Sequence, residues 1–134
     1  MATVFTRIIN CEIPATFVHR DDRCVAFLSV NPLAPGHALV VPIAEIDHWV
    51  DLPPDLAAHL FAVAQRIGLA QQAALRCDRV GLIIAGYEVP HTHLHVVPTT
   101  HIGQFDFATA ASNPDRAEME TAAAAIRAAL SSLD

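Results

Sequence analysis

The sequence predicts an α+β domain built on a mainly antiparallel five-stranded sheet, with one long central helix and a C-terminal helix. Two observations carry that expectation. Five short apolar or β-branched runs are separated by turn-rich or charged connections, as in strands joined by hairpin-length loops. Two other stretches, near 55–75 and after Asn113, repeat apolar residues at helical spacing. A chain of 134 residues with 53% hydrophobic and 16% charged residues is long and apolar enough to bury one core, so a single domain over 1–134 is expected.

Taken in order, Ile8-Ile9-Asn10-Cys11-Glu12-Ile13-Pro14 reads as a short helical turn and connection closed by proline. Residues 16–19 and 24–28 are β-favouring runs, and the charged tetrad Arg20-Asp21-Asp22-Arg23 between them suits a hairpin turn. Asn31-Pro32-Leu33-Ala34-Pro35-Gly36 is turn-rich and leads into a third strand over 37–42. Asp51-Leu52-Pro53-Pro54 approaches a helix over 55–75, whose Leu56, Leu60, Val63 and Ile67 fall on one stripe. Residues 79–85 and 91–97 are the fourth and fifth strands. Asn113-Pro114-Asp115 reads as an N-cap, a proline at the first helical position and an acidic first turn; Met119, Ala122, Ile126, Leu130 and Leu133 then share a face.

Composition excludes several classes. A formal net charge of −6 disfavours broad binding to a nucleic-acid polymer, though not to a small phosphorylated ligand. No apolar run is long enough to span a bilayer, and the N-terminus lacks an extended apolar signal segment, so a cytoplasmic protein without membrane partners is expected. The three cysteines are scattered without metal-ligand spacing and read as reduced, mostly structural thiols.

The most informative stretch is His91-Thr92-His93-Leu94-His95-Val96-Val97-Pro98. On a strand these histidines share one face, with neighbouring imidazoles about 6–7 Å apart, while Thr92, Leu94 and Val96 cover the other face and pack on a core. A strand that spends alternate positions on imidazole is building a site, since such a row fills an apolar face poorly. Three chemistries suit it: metal binding, general acid–base catalysis, and nucleophilic attack by one imidazole on phosphorus while its neighbours donate hydrogen bonds to the non-bridging oxygens. With no thiolate cluster beside it, the triad leaves the usual closed ligand set incomplete, which predicts sub-stoichiometric metal. Gly86-Tyr87-Glu88 just before the triad, together with Pro35-Gly36-His37, suggests a phosphate-sized concavity.

The run His91-Thr92-His93-Leu94-His95-Val96-Val97 resembles the signature of the histidine triad (HIT) family, His-x-His-x-His followed by two apolar residues. The likeness extends over nearly the whole chain, through Phe5-Thr6-Arg7-Ile8-Ile9-Asn10-Cys11-Glu12-Ile13-Pro14, Asp21-Asp22-Arg23-Cys24-Val25-Ala26-Phe27-Leu28 and Asn31-Pro32-Leu33-Ala34-Pro35-Gly36-His37-Ala38-Leu39-Val40-Val41-Pro42. Its nearest branch looks like the Hint-type purine nucleotide hydrolases. The resemblance implies a homodimer with one continuous antiparallel sheet and a purine nucleotide substrate. It implies attack on the α-phosphorus by His93 and a covalent nucleotidyl-histidine intermediate, with no cofactor. By position, His95 is expected to contact the phosphate oxygens, and His91 and His37 to orient or polarise the nucleophile. Phe5, Ile8, Leu28, Ser29 and Val30 match base and ribose positions, with Gly86 and Tyr87 completing the nucleotide site.

Departures from the family pattern are part of the expectation. Ser29 replaces a common aspartate, which reduces the contacts available to the ribose hydroxyls. The loop before the triad is short. Glu88 stands where the Hint branch has a serine near the leaving group, as a general acid if protonated or a repulsive charge if ionised. Thr3, Thr6 and Glu45 stand where some bacterial members hold zinc, so none is expected there. These departures motivate the alternative of a catalytically weak nucleotide-binding regulatory or sensor protein of the same fold.

Overall fold

The computed structural model describes residues 1–134. Its strands are β1 (Phe17–Arg20), β2 (Cys24–Leu28), β3 (Ala38–Pro42), β4 (Arg79–Ile83) and β5 (Leu94–Thr99), in one antiparallel sheet of order β1-β2-β3-β5-β4. Three α-helices accompany it: α1 (Val4–Ile9), α2 (Pro54–Ala74) and α3 (Arg116–Ser132). The α+β architecture is therefore the expected one, and no helix is long and apolar enough to cross a membrane.

The pleat of the sheet divides the core. Cys24, Ala26, Leu28, Ala38, Val40, Leu94 and Val96 point to one face and pack with Leu60, Ile67 and Ile126 from α2 and α3. Val25, Phe27, Leu39 and Val41 point to the other and pack with Phe5, Ile8 and Ile9 of α1. All four residues of the expected α2 stripe are buried. Ala70 also faces this core, at 1% exposure.

Several boundaries differ from expectation for identifiable reasons. Helix α1 begins earlier, because the Thr3 hydroxyl accepts the Thr6 amide and caps Val4–Ile9. In α3 the cap is Asp115 rather than Asn113; its carboxylate accepts both the Ala117 and Glu118 amides, and Pro114 lies outside the helix. Leu133 is exposed rather than on the buried face.

The β1–β2 turn is fastened to α2 through Asp21. One carboxylate oxygen accepts the Arg23 and Cys24 amides, while the other faces His19 Nε2 at 2.6 Å, His59 Nε2 of α2 at 2.9 Å and the Cys24 thiol at 3.5 Å. Burial acts to raise the Asp21 pKa, but these hydrogen bonds outweigh it and hold the carboxyl below the usual range.

Candidate active site

The main correction to the sequence reading concerns the triad itself. Strand β5 begins at Leu94, so only His95 of the three histidines lies on it. The β3–β5 ladder pairs Ala38–Val40 with Leu94–Val96 and stops before Pro42, which has no N–H to donate. Beyond that point the Thr92 amide and hydroxyl both bond to the Ile46 carbonyl, each at 2.7 Å. The Pro42 carbonyl is taken instead by His91 Nε2 at 2.7 Å. The site is thus a bend held by specific hydrogen bonds running into a strand, and the His93 and His95 ring centroids lie 4.9 Å apart. Leu94 and Val96 cover the opposite face and enter the main core, as alternation predicted.

Hydrogen-bond partners fix the tautomer of each imidazole, because carbonyl oxygens only accept and amides only donate. His91 Nε2 donates to the Pro42 carbonyl, so its Nδ1 accepts from the Thr3 hydroxyl at 2.7 Å. His93 Nδ1 donates to the His91 carbonyl at 2.8 Å, which leaves the position of Nε2 free for chemistry. His37 Nδ1 accepts the Leu33 amide at 3.0 Å, so its Nε2 donates to His95 Nδ1 at 2.9 Å. His95 must then carry its proton on Nε2, and that buried atom has no hydrogen-bond partner. A buried N–H left unpaired at the centre of a polar cluster is costly unless a ligand satisfies it. His37 therefore orients His95, and its reach toward His93 is through that neighbour and through charge rather than a direct hydrogen bond.

Glu88 faces the nucleophile candidate directly, with Oε2 at 3.2 Å from His93 Nε2. Neither a carboxylate nor an unprotonated Nε2 can donate, so this contact requires a proton between them, on one partner or the other. Burial lowers the His37 pKa to about 3, with help from the neighbouring His95 and His93; burial followed by His93 lowers His95 to about 4, and burial also lowers His91. The supporting imidazoles are therefore neutral donors and acceptors across the physiological range.

That arrangement has a consequence for stability. An unfolded histidine titrates near pH 6.5, whereas folded His37 and His95 resist protonation down to about 3 and 4. Between these limits the unfolded chain binds more protons, so stability rises with pH from about 3 to about 6.5, with His95 contributing from about 4, and levels above it. The expected result is a melting temperature that falls on acidification through this window, with a shallower fall in His37→Asn. Parallel profiles for the two proteins would remove His37 from the effect.

The predicted nucleotide-binding positions are distributed unevenly. Phe5 sets its ring edge-on to His93 at 5.0 Å and to Phe27 at 5.6 Å, making one wall of the site, and Ile8 is buried behind it. Leu28 points into the opposite core. The Ser29 hydroxyl accepts the Asn31 amide, while Val30 is exposed. Gly86 has φ +85° with open space at its Cβ position, and Tyr87 is 95% exposed, so neither closes on the triad. A cavity of about 300 Å³ touches Ser29, Gly36 and His37 but extends toward Met119 and Ala122 of α3, and His91, His93 and His95 do not line it. The concavity expected between the Gly86 loop and Gly36 is not formed by that cavity.

Two features escaped sequence reasoning. Phe107 stacks edge-on against His95 at 5.0 Å, from a segment with no periodic signal. Thr3 and Glu45 act in concert: Glu45 accepts from the Thr3 amide at 2.7 Å and the Thr6 hydroxyl at 2.6 Å, and Thr3 in turn holds His91. Two neutral hydroxyls already engaged in hydrogen bonds, with one carboxylate, are a poor donor set for zinc, so this corner does not fit one. It works as a hydrogen-bonded brace for His91.

Comparison with known proteins gives concordant matches. The family model for the HIT domain matches residues 10–102. An uncharacterised HIT-like protein of Saccharolobus solfataricus is 33% identical over 101 residues, covering 72% of this chain and 73% of that one. Adenylylsulfatase HINT3 of Arabidopsis thaliana is 32% identical over 100 residues, covering 71% of this chain and 51% of the plant protein. Among solved structures, a zinc-bound histidine triad family protein from Mycobacterium smegmatis superposes with TM-score 0.86 at 32% identity, covering 100% of this chain and 96% of that one. A hypothetical histidine triad nucleotide-binding protein from Sulfolobus tokodaii gives 0.86 at 26% identity, covering 97% and 93%.

Proposed function

The chain belongs to the HIT domain family, and on that premise we propose that it is a nucleotidyl hydrolase or transferase acting on the α-phosphate of a purine nucleotide conjugate through a covalent intermediate on His93. The observation that carries this reading is the pairing of two ring nitrogens. His93 is anchored through Nδ1 with Nε2 facing Glu88, and beside it His95 presents a buried, unpartnered Nε2–H. A nucleophile and an oriented donor for developing negative charge are what phosphoryl transfer requires.

Glu88 completes the proton accounting. The proton between Glu88 and His93 moves to the carboxylate, freeing the Nε2 lone pair. Nε2 attacks phosphorus as the bond to the leaving group breaks, and the leaving group takes the proton from Glu88. The resulting nucleotidyl-His93 is then attacked by water, whose proton returns to the carboxylate, releasing the nucleoside monophosphate and free imidazole. Phe5 supports a planar ligand beside the triad, in keeping with a purine.

The test is incubation with an adenosine phosphoramidate and with a dinucleotide polyphosphate, scoring nucleoside monophosphate by chromatography. Release from either substrate at a rate well above the uncatalysed one is expected; tight nucleotide binding without release would favour a sensor instead. Glu88→Gln is expected to change the pH dependence of turnover more than nucleotide affinity, since an amide cannot cycle the proton. Superimposable pH–rate profiles would take Glu88 out of the mechanism.

We also propose a two-fold dimer. Strand β4 is a sheet edge, and Leu82 on it is exposed beside exposed Phe61 and Leu69 of α2. Pairing β4 with its copy satisfies the open edge and covers this apolar groove at once. Light scattering at micromolar concentration is expected to give twice the 14.4 kDa chain mass, and Phe61→Asp to shift it toward one chain. A wild-type monomer at that concentration would refute the pairing.

A further inference from the structure

On the face of the sheet opposite the triad, three metal-ligating side chains cluster around the β1–β2 turn, and a fourth from α2 reaches the same carboxylate. His19 comes from β1, Asp21 from the turn, Cys24 from the start of β2 and His59 from α2. His19 Nε2, Asp21 Oδ2 and Cys24 Sγ all lie within 4.8 Å of one another. His59 Nε2 lies 2.9 Å from the same carboxylate oxygen. We propose that His19, Asp21, Cys24 and His59 form a tetrahedral site for a divalent transition metal of the zinc class.

The donor chemistry selects the metal. One sulfur, two imidazole nitrogens and one carboxylate oxygen suit a borderline-soft cation that takes four ligands, whereas calcium and magnesium prefer oxygen sets. The charges also match. A thiolate and a carboxylate supply −2, and two neutral imidazoles complete the shell, so a divalent ion is neutralised by its own ligands.

Backbone amides already orient the carboxylate. Asp21 Oδ1 is held by the Arg23 and Cys24 amides, which leaves Oδ2 as a single oriented ligand atom. Cys24 is fully buried while His19, Asp21 and His59 are each about a quarter exposed on their side chains, so an ion can enter from solvent. Ligand atoms around zinc sit about 3.3 Å apart, so the 2.6 Å and 2.9 Å contacts to Asp21 lengthen by less than 1 Å, while His59, which stands outside the tight group of the other three, swings toward them when an ion takes the centre.

Binding is balanced by one proton. The Cys24 S–H bond is lost, its proton going to solvent, while each imidazole moves its own proton from Nε2 to Nδ1. The consequence is a cross-link that ties the β1–β2 hairpin to α2. It departs from the metal content expected from the sequence, which weighed the triad and found no thiolate cluster. His19-x-Asp21-x-x-Cys24 reads as turn and core until the fold brings in His59.

The experiment uses the full chain, stripped with chelator and titrated with cobalt(II) and zinc(II). One cobalt per chain is expected, with the visible bands of a tetrahedral ion and a near-ultraviolet thiolate-to-cobalt band, all displaced by zinc. Cys24→Ser is expected to remove the thiolate band, and His59→Gln, at a partly exposed helix position, to weaken affinity at least tenfold while remaining folded by circular dichroism. His95→Asn serves as the control for the other ligand-rich cluster, Glu88, His93 and His95, and is expected to leave the cobalt spectrum unchanged. A spectrum without a thiolate band, undiminished affinity in His59→Gln, or loss of the bands in His95→Asn would each overturn the proposal.

Discussion

Replacing His93 with Asn is expected to reduce turnover about 10³-fold or more, with little change in the fold or in nucleotide affinity. Asn keeps a polar group of similar reach and can still donate to the His91 carbonyl that anchors His93 Nδ1 at 2.8 Å. What it lacks is a basic nitrogen able to form a bond to phosphorus. His95→Asn removes a charge-stabilising donor rather than the bond-forming atom, so its cost is smaller, on the order of 10²-fold. Acid-quenched wild-type reactions are expected to carry a nucleotidyl adduct on the peptide containing His93. Retention of most wild-type turnover by His93→Asn would place the nucleophile elsewhere.

The largest effect on stability is expected at Ile126. This side chain is fully buried where α3 meets α2, beside Ala123 and the core that backs the sheet. Truncation to Ala removes its transfer free energy and leaves a cavity in a close-packed interior, together about 3 kcal/mol. For a domain of this size that corresponds to a fall in melting temperature on the order of 10 °C. Thermal unfolding followed by circular dichroism gives the number. A drop of only a degree or two would mean that α3 docks loosely and contributes little to the core. The triad lies on the other face of the sheet, so the chemistry of the folded variant is expected to survive.

Much of the fold was legible because it follows from local rules. β2 lies where its apolar run placed it, and the α2 stripe is buried as its 3.6-residue period requires. Errors fell at element ends, where side-chain caps decide. Thr3 and Asp115 are capping residues whose hydrogen bonds depend on the backbone geometry of the next turn, and at α3 Asn113 was the expected cap.

The composition of the histidine cluster was legible in the same way, since a spacing of alternate histidines is conspicuous in an apolar chain. Its shape was not. Whether His91–His93 continue a strand depends on Pro42, some fifty residues away, lacking the N–H that would extend the ladder, and on the Ile46 carbonyl competing for Thr92. Likewise, which ring nitrogen of each histidine carries a proton is set by the Leu33 amide, the Pro42 and His91 carbonyls and the Thr3 hydroxyl.

Sequence alone therefore determined the main elements, the buried stripe of α2 and the residue types available for phosphoryl chemistry, because periodicity and composition are local properties of the chain. Tertiary structure decided the direction of each reactive nitrogen, the unpaired Nε2–H of His95, the placement of Glu88 against His93, and the meeting of His59 with His19, Asp21 and Cys24. Those features rest on hydrogen bonds and donor atoms contributed by segments far apart in the chain, and no local pattern encodes which distant partner will arrive.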